Sequence, residues 1–406
     1  MRRSILRPLG VFCLALSVSL SGCRSGTASG PSLPAIPAAS LHESAGGHAG
    51  LGAVLNTKDG GQVFGFDINQ TGNDGALASS RGTNKPGVFV VSVETFDQNT
   101  GAITASFANS TGTTNSFLFD GILAGDVGFV THFEVPKGQV FAKHFYNLMN
   151  PVTANRFTGA WKAPVPNTNI MQTASNQSTT QNVLFTEDPA THNPELIVTD
   201  VAANTIQKVI PLDPNLFVGG NGPILSEDTV AKKAVIALSP DGGAVRHPGV
   251  PTETVQIDLA TGTQTSFNGF ADGFFGPGFV NGAAVDSGTH VQATTTELNS
   301  QVEFYNLSTQ KGIKAAQLPC TRNVDQTTSG AGVANDPVNK LFLVSVPMNA
   351  CAPGSAIDVY DETGKLVETI TGFTFFLGEP PAVLNPSKRM GWALGPKPSQ
   401  LQQFFY

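Results

Sequence analysis

Four stretches of this 406-residue chain read alike. Leu196–Ile210 is LIVTDVAANTIQKVI and Val255–Phe267 is VQIDLATGTQTSF. Val302–Ala315 is VEFYNLSTQKGIKA and Ile357–Ile370 is IDVYDETGKLVETI. Each is an alternating β-rich run, then Asp or Asn, a polar turn and a second run, which is the pattern of a hairpin. An Asp or Asn at that point can accept hydrogen bonds from the N–H groups of its own turn. Weaker copies lie at Val91–Phe107 and His144–Phe157. The turn residues are Asp97, Asn147, Asp200, Asp258, Asn306 and Asp361, at successive intervals of 50, 53, 58, 48 and 55 residues.

A repeat near fifty residues, all β and with room for four strands, predicts an all-β chain folded as a β-propeller. Seven four-stranded blades fit the spacing best, with six or eight left open. The hairpins would be the outer strands C and D, and the segment before each would supply A and B. The closing segment LQQFFY falls in register as a C strand with no D strand after it. An N-terminal strand is expected to complete that blade, and Gly61–Ser80 is the expected contributor.

Two units carry a family resemblance. Gly282–Gly312 has an apolar strand ending in Val-Asp, followed by VEFYNLSTQKG; GVANDPVNKLFLVSV is followed by IDVYDETGK. They resemble the blades of YVTN/NHL-type propellers. The likeness covers roughly Gly50 to Tyr406, and its hairpin motifs carry no catalytic residue. It implies binding on the face where D–A and B–C connections emerge, at the mouth of the central channel. On that face the double Phe274 and Phe275, in FNGFADGFFGPGFVNG, is the expected contact point. A Phe-then-Gly pattern recurs at Phe119, Phe217, Phe275 and Phe376. It reads first as inter-blade packing, with the glycines permitting close approach.

The N-terminus gives an address. Arg2, Arg3 and Arg7 precede the apolar run Leu9–Leu20, the pattern of a secretory signal. At about 12 residues that run is too short to cross a bilayer. Leu20-Ser21-Gly22-Cys23 resembles the lipobox of bacterial lipoproteins, which implies acylation of Cys23 (palmitate among the chains) and cleavage before it. Two or more acyl chains anchor stably. Arg24, where inner-membrane lipoproteins commonly carry Asp, favours the outer membrane of the cell envelope. Residues 24–50 are rich in Gly, Ser, Ala and Pro and too poor in apolar area to fold alone. The expected division is 1–22 signal peptide, 23–50 lipidated cysteine and linker, and 51–406 propeller.

Composition narrows the partners. Loss of three arginines would move the net charge from −7 to −10. No basic cluster of the kind that displaces counterions from nucleic acid is present. Cys13 would leave with the signal. Cys320 follows a D strand and Cys351 precedes a C strand of the same blade, so both fall on one face. An oxidising periplasm permits a disulfide between them. No G-x-S-x-G, H-E-x-x-H, Walker loop or calcium-loop spacing occurs. His290, His132 and His144 read as surface or core residues, and His42 and His48 as solvated linker residues. Asp126, Asp286, Asp336 and Glu379 lie near inner-strand ends, Asp286 and Asp336 at ordinary turn positions. The leading expectation is a monomeric, non-enzymatic binding or scaffold lipoprotein, membrane-anchored, with an envelope protein or glycan partner and no cofactor. The alternative is a lactonase-like hydrolase or lyase assisted by Ca²⁺ or Zn²⁺ at the channel mouth, an argument from fold likeness alone.

Overall fold

The structure is a computed structural model. It describes residues 49–406 except 71, 85–88, 112–114, 124–126, 135–142, 150–156, 161–168, 176–178, 189–190, 192, 201–202, 204, 215–223, 239–252, 269–279, 297–300, 320–331, 347–354 and 374–381.

The described chain enters with β1 (Gly50–Asn56). The first blade follows: β2 (Gln62–Ile68), β3 (Asp74–Gly82), β4 (Phe89–Asp97) and β5 (Ile103–Thr111). The second is β6 (Asn115–Leu123), β7 (Val127–Glu134), β8 (Lys143–Met149) and β9 (Phe157–Ala160). The third is β10 (Asn169–Ser175), β11 (Gln181–Glu187), β12 (Pro194–Asp200) and β13 (Thr205–Pro211). The fourth is β14 (Ile224–Asp228), β15 (Lys233–Leu238), β16 (Glu253–Asp258) and β17 (Gln264–Asn268). The fifth is β18 (Val280–Asp286), β19 (Val291–Thr296), β20 (Gln301–Asn306) and β21 (Lys311–Gln317). The sixth is β22 (Val333–Asp336), β23 (Leu341–Val346), β24 (Ser355–Asp361) and β25 (Leu366–Phe373). Last come β26 (Val383–Asn385), β27 (Met390–Leu394) and β28 (Gln400–Phe405).

Six sheets are thus made of four consecutive antiparallel strands each. A seventh joins both ends of the described chain in the order β1-β28-β27-β26. The first strand of each sheet lies against the first strand of the next, from β2 through β6, β10, β14, β18 and β22 to β26. β26 lies against β2, so the ring is closed. This is a β-propeller.

Position in the ring explains the sequence pattern. Inner strands are covered on both faces by neighbouring blades, so they can be apolar throughout. β23, LFLVSV, is buried at every residue. Outer strands have one face wet, and β13 alternates exposed and covered residues. The packing is between sheets. Trp392 and Phe96, both fully buried, meet edge to face at 5.2 Å between the closing sheet and the first blade. Phe304 meets Phe342 at 5.7 Å between the fifth and sixth.

The hairpins sit where the repeat places them. Asp97, Asp200, Asp258, Asn306 and Asp361 each end a third strand. Asp258 Oδ1 accepts from the N–H groups of Ala260 and Thr261 and from the Thr261 hydroxyl, at 3.0, 2.6 and 2.9 Å. Gly262 then takes φ +81°, a conformation that costs a Cβ-bearing residue about 1–2 kcal/mol. Asn147 differs: it lies inside β8 rather than at its end.

The closing blade corrects one expectation. Leu401–Phe405 does belong to a third strand, β28, but Gly61–Ser80 does not complete that sheet. It forms β2 and most of β3, the first two strands of the first blade. The completing strand is β1, GLGAVLN, which begins at Gly50, the last residue assigned to the linker. Its register slips between Leu51 and Val54. Side chains of β28 repair the slip: Gln403 Oε1 accepts from Ala53 N–H at 2.9 Å, and Gln402 Nε2 donates to the Gly52 carbonyl at 3.0 Å. Leu55, 1% exposed, secures the strand in the core.

Candidate functional site

The antiparallel order places A–B and C–D turns at one end of the ring and B–C and D–A connections at the other. Phe274 and Phe275 fall in the sequence between β17 and β18 and lie outside the described residues. So do Cys320, in the β21–β22 connection, Cys351, in the β23–β24 connection, and Cys23, His42, His48, Asp126 and Glu379. Phe217 and Phe376 are outside as well. Phe119 is placed, and it is not in a connection: it lies within β6, where the register slips between Phe119 and Gly121. His132 lies in β7 and His144 in β8.

The first end is described in most detail, and it carries a motif that the hairpin spacing does not reveal. Four A–B turns run Asp228-Thr-Val-Ala-Lys232, Asp286-Ser-Gly-Thr-His290, Asp336-Pro-Val-Asn-Lys340 and Asn385-Pro-Ser-Lys-Arg389. The fifth residue is left-handed in each, with φ of 55°, 58°, 55° and 49°. Non-glycine residues seldom adopt this conformation without compensation. Here it aims a carbonyl at the C-strand end: Lys232, His290 and Arg389 carbonyls accept from Leu259, Leu307 and Tyr406 N–H at 3.0, 2.8 and 3.1 Å. The leading acids fasten the same turns. Asp286 Oδ1 accepts from Gly288 and Thr289 N–H at 2.8 and 3.3 Å, and Asp336 Oδ1 from Val338 and Asn339 N–H at 3.0 and 2.9 Å. These two acids fill the turn positions that the sequence assigned them. His290 sits in an A–B turn as expected.

Side chains then link blade to blade. His290 Nδ1 meets Asp228 Oδ2 at 2.7 Å, fourth blade to fifth. Gln181 Nε2 donates to Glu227 Oε1 at 3.1 Å, and the Thr289 hydroxyl to Glu362 Oε1 at 2.6 Å. Tyr406 O–H donates to Asp336 Oδ2 at 2.9 Å, and Lys388 Nζ donates to Asn73 Oδ1 at 2.6 Å. Burial, reinforced by the Asp228 carboxylate, pushes Glu227 up to about 7. Burial also raises Glu362, and the facing Asp286 carboxylate adds to it. Among the described residues no group of three or more His, Cys, Asp or Glu side chains is disposed to hold a metal ion.

A second polar cluster lies deeper, between the fourth and fifth blades. Glu303, 1% exposed, stands opposite Thr294 in the β19–β20 pairing. Neither Glu303 oxygen nor the Thr294 hydroxyl has a hydrogen-bond partner among the described residues. Nearby, the Thr254 hydroxyl donates to Gln292 Oε1 at 3.3 Å, and Gln256 Nε2 to the Leu307 carbonyl at 2.8 Å. Burial raises the Glu303 carboxyl well above its ordinary value, because the charged form loses its hydration there.

No family model matches the chain, and no curated protein is significantly similar to it. Solved structures are. The chain is similar to the RRP9 WD40 repeats at 12% identity and TM-score 0.51, covering 87% of this chain and 96% of that one. It is similar to the β-propeller domain of Myceliophteria thermophila Cps50 (Swd1) at 12% identity and TM-score 0.56, covering 88% and 100%. The Dos1 propeller aligns at 9% identity and TM-score 0.50, covering 88% and 95%. At these identities the likeness establishes a WD40-like propeller fold.

Proposed function

We propose that this chain is a lipid-anchored protein of the bacterial envelope whose propeller is a rigid binding module for a protein or glycan partner. The closed ring supports this reading, because it fixes the strands of its sheets relative to one another, and preorganised scaffolds bind at lower entropic cost. The lipobox-like Leu20-Ser21-Gly22-Cys23 and the linker after it supply the anchor. The resemblance of the hairpins to YVTN/NHL-type blades supports a binding face at the D–A and B–C end, with Phe274 and Phe275 as its contact residues under this reading. Cys320, in the sequence between β21 and β22, and Cys351, between β23 and β24, form a disulfide under this reading. The ring acts as a monomer, held at the outer membrane, without a cofactor.

The test is a photo-crosslinking amino acid at Phe274 or Phe275 in the intact envelope, with the Phe274→Ala, Phe275→Ala double variant, crosslinked through a B–C turn, as the control. A discrete crosslinked partner that is lost in the double variant supports the reading. An unchanged crosslinking pattern in that variant removes Phe274 and Phe275 from the binding face. Metal content of the purified full chain bears on the lactonase-like alternative: stoichiometric Ca²⁺ or Zn²⁺ with a chelator-dependent fall in Tm would favour it.

A further inference from the structure

Buried apolar side chains join the described blades in large clusters, with one exception. One cluster binds the closing sheet to the first and sixth blades. Another spans the third and fourth blades, and another the fifth and sixth. Among the described residues none of these crosses from the fourth blade to the fifth. There the buried apolar contact is Val235, Val285 and Leu307, with half-buried Phe267 against them. Strand alternation explains the gap. Val235 and Ile236 are neighbours in β15, both fully buried, and point to opposite faces of their sheet. Ile236 belongs to the cluster shared with the third blade, Val235 to the small one shared with the fifth. The opposing face of the fifth blade is polar. Along β19, Val291 and Ala293 join the cluster toward the sixth blade, so Gln292 and Thr294 point the other way. Glu303 stands opposite Thr294 on that same face.

Hydrogen bonds replace apolar area at this seam. The Thr229 N–H donates to Ser287 Oγ at 2.9 Å, and Ser226 Oγ to the Ala283 carbonyl at 3.2 Å. Thr254 meets Gln292, Gln256 the Leu307 carbonyl and His290 Asp228, as described above. Water can take over such bonds when the seam parts, whereas buried apolar area has no such substitute. The Glu303 oxygens, the Thr294 hydroxyl and Gln292 Nε2 have no hydrogen-bond partner among the described residues. Orphaned buried groups regain hydration on opening, so they favour it. Regions with few buried apolar contacts are also the first to open. Glu303 adds a control. Burial alone acts on its carboxyl, and no charged group offsets it. The charged side chains nearest the seam are engaged elsewhere: Asp228 with His290 and the Ala231 N–H, Lys233 with Gln256, and Glu227 with Gln181 of the third blade. Ionised, Glu303 therefore gains more from hydration than from the closed seam.

We propose that the seam between the fourth and fifth blades is the joint of this ring, tight while Glu303 is protonated and loosened when Glu303 ionises, with the other described seams staying closed. The ring is then rigid in acid and jointed in base. No residue of the proposed anchor or contact face takes part, so the joint stands or falls apart from them.

The experiment uses two variants of the full chain, Val235→Cys and Ile236→Cys. Labelling of each new thiol by an aromatic disulfide is followed by peptide mass. Each rate is divided by that of the same thiol in the urea-unfolded chain at the same pH, which removes the ionisation of the thiol itself. Opening of the joint bares residue 235 and leaves residue 236 covered, whereas global unfolding bares both. The expected result is a normalised rate for Val235→Cys at least about 10-fold higher at about pH 9 than at about pH 5. Ile236→Cys should show no such rise, and adding Glu303→Gln should remove it from Val235→Cys. Equal normalised rates at the two positions, a rate at residue 235 that ignores pH, or a rise that survives Glu303→Gln each overturns the proposal. If a cysteine variant fails to fold, hydrogen exchange of the unsubstituted chain reads the same opening. The Thr229 N–H is bonded across the seam, and the Leu259 N–H to the Lys232 carbonyl within the fourth blade. Exchange at Thr229 relative to Leu259 should quicken as pH rises, and a constant ratio ends the proposal.

Discussion

Glu303 is a carboxyl group placed between two blades with Thr294 opposite it and, among the described residues, no hydrogen bond to either oxygen. Burial disfavours its ionised form. A group whose folded pKa is raised contributes stability that is complete below its ordinary value of 4.5. That contribution is lost as pH climbs through the folded value. Glu303→Gln removes the titration and keeps the shape. It should leave Tm unchanged near pH 3.5 and raise it by about 2–4 °C or more near pH 9, read by calorimetry. Equal curves for the two proteins at both pH values would mean that Glu303 finds a partner or water when ionised. The hairpin acids behave oppositely. At Asp258 the Thr261 N–H and then its hydroxyl lower the carboxyl, so that site favours the ionised form.

At the scale of the element, β1 decides whether the ring closes. It is seven residues long, two of them glycine, and its register slips. It holds because β28 supplies glutamines at the slip and because Leu55 enters the core shared by the closing sheet with the first and sixth blades. Leu55→Ala should therefore cost about 2–5 kcal/mol, the usual cost of truncating a fully buried leucine. Hydrogen exchange should rise first along β1 and β28. Val54→Ala, at a 43% exposed neighbour on the same strand, is the control and should change stability by less than about 0.5 kcal/mol. Equal losses from both would show that β1 is held by backbone pairing alone.

Across the whole molecule, inter-blade seams hold carboxyls in both directions. Burial pushes Glu94 and Glu227 up to about 7 and Asp358 to about 6, and raises Glu362 and Glu303. The share of Glu94, Glu227 and Asp358 is present in acid and lost as pH rises through about 6–7, and that of Glu362 and Glu303 is lost above their ordinary 4.5. At Asp97 and Asp361, Thr100 and Thr363 hydroxyls and backbone N–H groups overcome burial and lower the carboxyls, and Asp258 is lowered too. Their share is present above the ordinary 3.8 and lost as pH falls. Stability should therefore peak between about pH 4 and pH 6 and decline toward pH 8. A Tm that climbs steadily to pH 8 would show that the seam carboxyls ionise without penalty.

The sequence by itself determined the repeat, the hairpin turns and the incomplete last blade. Those depend on local chemistry: alternation along a strand, an Asp that bonds its own turn, and an interval that persists along the chain. Asp258 and Asp361 were legible for that reason. Only tertiary structure decided that GLGAVLN is a strand, since its pairing partner lies some 350 residues away and its glycines look like linker. Asn147 slid into a strand for a related reason, because third-strand ends are set by pairing with β7 and not by one turn residue. The buried Glu303 seam and the His290–Asp228 link between the fourth and fifth blades were equally illegible. Each joins residues of different blades, and only closure of the ring sets which side chains are buried and which are exposed.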